Sequence, residues 1–215
     1  MIDAQTAAQF LGPLAQMVPD PRCALDYRDP FELLIATQLS AQSTDAMVNQ
    51  VTPELFRRWP DAHALAAADP IEVSEVIRRT GFFRQKARNA VDSARLLVER
   101  HGGEVPPRMA DLVRLPGVAR KTANVVLGTA FGINSGVTVD THVFRVTGRW
   151  GWHTEKTAEK VEPILMKLIP QAGWTDFGHR VVLFGRHHCV ARKPKCGSCA
   201  LASLCPAVEP SAVAG

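Results

Sequence analysis

The chain has 215 residues, 25 Lys and Arg against 21 Asp and Glu, a formal charge of +4 with His neutral, 46% hydrophobic residues and five Cys. That length suits one large domain or two small ones, each with its own core. The composition excludes a disordered polymer, a collagen-like repeat and a disulfide-rich secreted scaffold. No stretch approaches the roughly 18–20 uninterrupted apolar residues of a membrane span. Ile2, Asp3, Ala4 and Gln5 lack the basic-then-apolar pattern of a secretory signal. An intracellular globular protein is expected, and its mild positive charge permits an anionic partner without requiring one.

The periodic signals along the chain are helical. Pro30 sits at a first-turn position, and Phe31, Leu34 and Ile35 follow at helical spacing. Residues 45–56 and 70–79 read similarly, each begun by Asp or Pro. Residues 85–101 set Ala90, Val91, Ala94, Leu97 and Val98 among charged side chains and stop at Gly102 and Gly103. A short helix ending near Leu115 is turned by Pro116 and Gly117 into a second, whose apolar face is Ala123, Val126, Leu127 and Ala130. Residues 157–169 continue the pattern, with Pro163 weakening the first half. Strand alternation is scarce, and residues 136–139 are too few to build a sheet. An all-α fold is expected, with no internal repeat. From Arg186 the chain turns basic and Cys-rich, and residues 206–215 read as a frayed tail of small residues.

Two segments carry chemistry. In Leu115-Pro116-Gly117-Val118-Ala119-Arg120-Lys121-Thr122-Ala123, a tight turn before a helix leaves the N–H groups of residues 117–120 at a positive helix end. That arrangement suits a phosphate and ignores base identity; the same residues also suit an ordinary corner between two helices. Lys121 lies in the first turn beside Arg120, where the helix end and a neighbouring cation both disfavour an ammonium; it reads either as a phosphate-contacting or solvated lysine, or as a neutral amine suited to a Schiff base with a sugar carbon. Asp140, in Val139-Asp140-Thr141-His142, precedes an apolar helical run and reads first as an N-cap, which does not exclude catalysis. Contact with Lys121 is within reach. A helix from Lys121 to about residue 131 advances roughly 15 Å, and residues 132–139 can span up to roughly 26 Å.

Cys189, Cys196, Cys199 and Cys205 are spaced C-x6-C-x2-C-x5-C and can surround one metal centre. Zinc sites of four cysteines usually show two close pairs and only one is present here, while a [4Fe–4S] cluster tolerates more varied spacing. Both remain open on the residues alone, and disulfides suit an intracellular chain less well. The intervening loop holds Arg192, Lys193 and Lys195 with no acid, a basic knuckle fit for a phosphate backbone. Cys23 is left over and reads as a buried thiol.

These motifs, in this order, resemble the endonuclease III branch of the helix-hairpin-helix DNA glycosylases, from residue 29 to Cys205. The resemblance implies two helical lobes. One is a six-helix barrel over residues 23–134 containing the hairpin (about 107–132); the other is a discontinuous iron–sulfur domain of residues 1–22 and 135–215. It implies a [4Fe–4S] cluster on the four cysteines, and Lys121 and Asp140 as the catalytic pair. Lys121 would attack C1′ of a damaged nucleoside and expel the base, and β-elimination would then cleave the strand; Asp140 would help deprotonate the lysine and stabilise charge on the sugar. The base must first leave the stack, and Gln42 and the wedge position, here Phe82, would fill the gap. Gly117, Val118, Ala119, Arg120, Arg192 and Lys193 would contact DNA. The implied partner is double-stranded DNA bearing an oxidised pyrimidine or abasic site, bound by a monomer in the cytoplasm or nucleoid. Two positions depart from the pattern. Ala119 replaces the usual second hairpin glycine, and Phe82 replaces a frequent Leu. The rival readings are an adenine-mismatch glycosylase, which usually lacks the Lys, uses a Glu near Gln38 and has a long C-terminal extension, and a non-catalytic iron–sulfur DNA-binding protein.

Overall fold

The computed structural model describes residues 2–208. Its helices are α1 (Ala4–Met17), α2 (Pro30–Leu39), α3 (Asp45–Arg58), α4 (Ala62–Ala66), α5 (Pro70–Val76), α6 (Phe83–His101), α7 (Met109–Leu112), α8 (Arg120–Phe131), α9 (Thr141–Arg149), α10 (Ala158–Leu168) and α11 (Trp174–His187). Among the described residues there is no strand, so the fold is all-α. The chain forms two compact units, Cys23–Ile133 and the described parts of Met1–Arg22 with Asn134–Gly215.

In the unit Cys23–Ile133 the organising element is α2. Every residue from Phe31 to Leu39 is buried, as expected of a helix apolar on all sides. It begins cleanly because Asp29 Oδ1 accepts from the Glu32 N–H at 2.8 Å and Pro30 needs no donor at N1. Glu32 is tolerated inside because Arg28 donates from its backbone N–H at 2.7 Å and from Nε at 2.8 Å. Around α2 pack α3, α6 and α8. On α6, Ala87, Ala90, Val91, Ala94 and Leu97 form the buried stripe, and the helix ends at left-handed Gly102 (φ 61°).

The unit holding both ends of the chain has a separate core. Phe10 and Leu14 of α1 meet Val143, Val146 and Trp150, Leu165 of α10, and Val181 and Phe184 of α11. Its aromatic centre includes Phe10 against Trp150 at 5.2 Å and Trp152 stacked on Phe177 at 5.7 Å. Helices α9 and α11 approach closely at Gly185, where a Cβ would lie 2.9 Å from the His142 Cβ.

Several helix ends differ from the sequence reading: the helix expected over 45–56 runs to Arg58, and the one expected to end near Leu115 stops at Leu112. The helix expected over 70–79 stops at Val76, and that expected over 85–101 starts at Phe83. Pro163 sits inside α10 without ending it. Helices α1, α4 and α11 were not anticipated. Of the expected tail, residues 209–215 lie outside the described residues.

Candidate active site

The hairpin lies in the unit Cys23–Ile133. Gly117 takes φ 74°, and a Cβ there would stand 2.5 Å from Asn89 Nδ2, so both backbone and space demand glycine. Ala119 is extended, at φ −84° and ψ 168°; no left-handed residue is needed there, and the alanine is unstrained. Val118 departs from its expected role as a donor. Its side chain is buried and its N–H donates to Leu115 O at 3.1 Å, so it anchors the turn from inside. Pro116 O accepts from Gln38 Nε2 at 2.8 Å and Ser93 Oγ at 3.1 Å, which ties the turn to α2 and α6. Sequence reasoning missed this pair; two polar residues on otherwise apolar helix faces were the available signal.

Arg120 and Lys121 are exposed in the first turn of α8. Lys121 has no carboxylate within ion-pairing distance among the described residues, so the amine is not occupied as a surface ion pair. Asp140, in the other unit, is the N-cap of α9. Its Oδ1 accepts from the N–H groups of His142 and Val143, each at 2.8 Å, while Oδ2 takes no part in the cap. The carboxylate is thereby fixed in orientation with one oxygen uncommitted to the helix. Burial pushes the neighbouring His142 imidazole down from its ordinary value, against the opposing pull of Asp140. Its Nδ1 lies 3.2 Å from the Arg145 guanidinium, an arrangement that suits a neutral ring accepting at Nδ1.

Three non-glycine residues among those described have positive φ: Gln42 (54°), Phe82 (55°) and Lys193 (55°). Each belongs to the set read from sequence as DNA-contacting. A left-handed side-chain-bearing residue costs about 1–2 kcal/mol, and such costs persist where geometry serves a function. Phe82 is 67% exposed, so its ring is not part of the core. Gln42 is exposed as well.

The four cysteines of the C-terminal segment are not joined in disulfides, and all line one cavity together with Arg149, Trp150, Phe184 and His188. Burial, and after it the neighbouring thiols, push Cys199 and Cys205 up from the ordinary thiol range, a cost that a cationic centre binding thiolates reverses. Four cysteine sulfurs lining one cavity are the donor set of a [4Fe–4S] cluster. Arg149 braces the site, donating to Cys189 Sγ at 3.3 Å, Val190 O at 2.8 Å and Ala191 O at 2.9 Å. Arg192 and Lys193 follow directly on this braced segment, and both are exposed.

Comparison with known proteins decides the family. Residues 35–171 match the HhH-GPD superfamily of base excision DNA repair proteins, and residues 189–205 match the iron–sulfur binding domain of endonuclease III. The chain is 53% identical over 207 residues to endonuclease III of Synechocystis, covering 96% of this chain and 94% of that one. The chain belongs to the endonuclease III family. Among solved structures, a non-covalent endonuclease III–DNA complex superposes with a TM-score of 0.91 at 45% identity, covering 96% of this chain and 97% of that chain. A trapped endonuclease III–DNA covalent intermediate gives the same values, a TM-score of 0.91, 45% identity and coverage of 96% and 97%. As an endonuclease III family member this chain is a base excision repair DNA glycosylase and AP lyase, and its cofactor is a [4Fe–4S] cluster. No helix among the described residues is long and apolar enough to cross a membrane.

Proposed function

We propose that Lys121 is the nucleophile and Asp140 its acid–base partner in removing oxidised pyrimidines from double-stranded DNA. The observation that carries this reading is the exposed Lys121 amine, without a carboxylate partner among the described residues, directly after the hairpin turn. The Lys121 amine attacks C1′ as the base departs with its electron pair and a proton. The nitrogen lone pair then displaces the ring oxygen O4′, which leaves with the C1′–O4′ electron pair and takes up a proton, and the opened sugar carries an iminium at C1′ that acidifies the C2′ hydrogen. Removal of that hydrogen expels the 3′ phosphate and breaks the strand, and water then releases Lys121. Asp140 accepts the proton from the lysine and stabilises the cationic sugar.

Gly117, Ala119 and Arg120 contact phosphate at the hairpin, and Arg192 and Lys193 do so at the cluster loop. Gln42 and Phe82 enter the gap left by the extruded nucleotide. When bound, the cluster cross-links its four cysteines and fixes the loop between Cys189 and Cys196. The chain acts as a monomer.

Borohydride trapping on duplex DNA with one abasic site tests the assignment. Wild type should form a covalent adduct and Lys121→Ala none; an adduct undiminished in Lys121→Ala would move the nucleophile elsewhere.

A further inference from the structure

Lys86 is a buried cation that the proposed chemistry does not use. It lies in the opening turn of α6 with only 5% of its surface exposed. Both placements oppose an ammonium, because burial strips its water and the helix end is positive. Its Nζ donates to Ser43 Oγ at 2.7 Å. The same hydroxyl oxygen accepts from the Gly81 N–H at 3.2 Å. One side chain therefore joins two turns almost forty residues apart in sequence, and Ser43 and Gly81 each adjoin a strained residue. Ser43 follows left-handed Gln42, and Gly81 precedes left-handed Phe82. The turns also meet through backbone, since a Cβ on Gly81 would lie 3.4 Å from Gln42 O. Gln42, Phe82 and Lys86 line one pocket with Gln85 and Asn89.

We propose that Ser43 and Lys86 are positioning residues that hold Gln42 and Phe82 in their protruding left-handed conformations, so that both can enter the duplex together. Alone, each turn would relax toward ordinary backbone angles and draw its tip back. The shared hydroxyl prevents this by giving the two turns a common acceptor, and the ammonium makes one of those bonds charge-assisted and hence stronger. Preorganising the pair removes from the DNA-binding step the entropy of ordering two loops. The inference rests on the reading of Gln42 and Phe82 as gap-filling residues.

The test compares single-turnover strand cleavage on a duplex carrying one abasic site with cleavage of the same abasic strand alone, where there is no gap to fill. Taking the ratio of the two rates cancels a general loss of folded protein. Ser43→Val and Lys86→Met should each lower the duplex-to-single-strand ratio by about tenfold, the scale of one charge-assisted hydrogen bond. Ser43→Thr, which has the shape of valine but keeps the hydroxyl, should retain the wild-type ratio. An unchanged ratio in Ser43→Val and Lys86→Met, with a lowered ratio in Gln42→Ala and Phe82→Ala, would overturn the latch and leave gap filling intact. An unchanged ratio in Gln42→Ala and Phe82→Ala would overturn the gap-filling reading itself, and the latch with it.

Discussion

Arg149 donates to the sulfur of Cys189 at 3.3 Å while the same guanidinium holds Val190 O and Ala191 O at 2.8 and 2.9 Å. A residue at the end of α9 thus fixes both the first cluster ligand and the chain that follows it. Arg145, one turn earlier on α9, donates to Gly185 O at 2.8 Å and Cys189 O at 3.1 Å. The helix capped by Asp140 is therefore also the helix that supports the cluster loop.

Arg149→Met should leave the helical cores intact and loosen the cluster. It deprives four acceptors, the Cys189 sulfur and the carbonyls of Cys189, Val190 and Ala191, of a charged donor, a loss of about 1.5–3 kcal/mol for each strong bond removed. Decay of the visible cluster absorbance in air, or with an iron chelator, should be faster than in wild type. Arg149→Lys should fall between them, since an ammonium carries the charge but not the planar fork. Equal decay in all three proteins would show that the cysteines hold the cluster without this brace.

Asp140 combines two roles that one pair of variants separates. Asparagine caps a helix about as well as aspartate, and Oδ1 alone makes both capping bonds. Asp140→Asn should therefore keep the melting temperature and DNA affinity near wild type while slowing base removal in single-turnover assays. Asp140→Ala should slow it too, and should also cost about 1 kcal/mol of stability through loss of the cap. Wild-type excision by Asp140→Asn would confine the residue to capping.

What could be read from the sequence was whatever depended on residue type at fixed local spacing. The four cysteines, the turn around Gly117, and Lys121 on the following helix need no long-range information. Helices α2 and α6 announce themselves through Pro30, Gly102 and their apolar periods. Helix α1 was hidden because Gly12 and Pro13 interrupt it, although Ala7, Phe10 and Leu14 mark its buried side. Helix α11 was hidden by the change toward basic and cysteine-rich composition at its end, although Phe177, Val181 and Phe184 keep helical spacing. The left-handed angles at Gln42, Phe82 and Lys193 were not legible, because side-chain-bearing residues give no local sign of positive φ. Nor was the meeting of Ser43 with Lys86, which only the tertiary fold creates. Val118 shows the converse error: a segment correctly placed at the hairpin contains one N–H already committed to Leu115 O.

Burial lowers the Lys86 amine from its ordinary 10.5 to about 8, and this predicts a pH dependence with a definite sign. Between those values the unfolded chain binds a proton at Lys86 that the folded chain does not, so this residue's contribution to stability rises with pH across the window. Below about 8 both states are protonated and the folded state bears the cost of the buried cation. The difference in urea midpoint between wild type and Lys86→Met should therefore shift in favour of wild type as pH rises through this range. Other titrating groups cancel in that difference. A pH-independent difference would mean that the ammonium is solvated as well in the folded chain as in the unfolded one.

Lys193 holds φ 55° in the segment between Cys189 and Cys196, so its backbone and its charge can be tested apart. Lys193→Gly removes one cation but suits the left-handed turn, and should raise stability by about 0.5–1 kcal/mol through relief of strain, less the entropy of glycine. Its affinity for undamaged duplex should nevertheless fall uniformly across sequences. The slope of log affinity against log salt should become shallower by about one. Lys193→Glu should weaken binding further by adding repulsion, and it keeps the backbone strain, so it should gain no stability. If the glycine variant binds as wild type does with an unchanged salt slope, the side chain lies off the DNA and the strained turn serves only the loop between the cysteines.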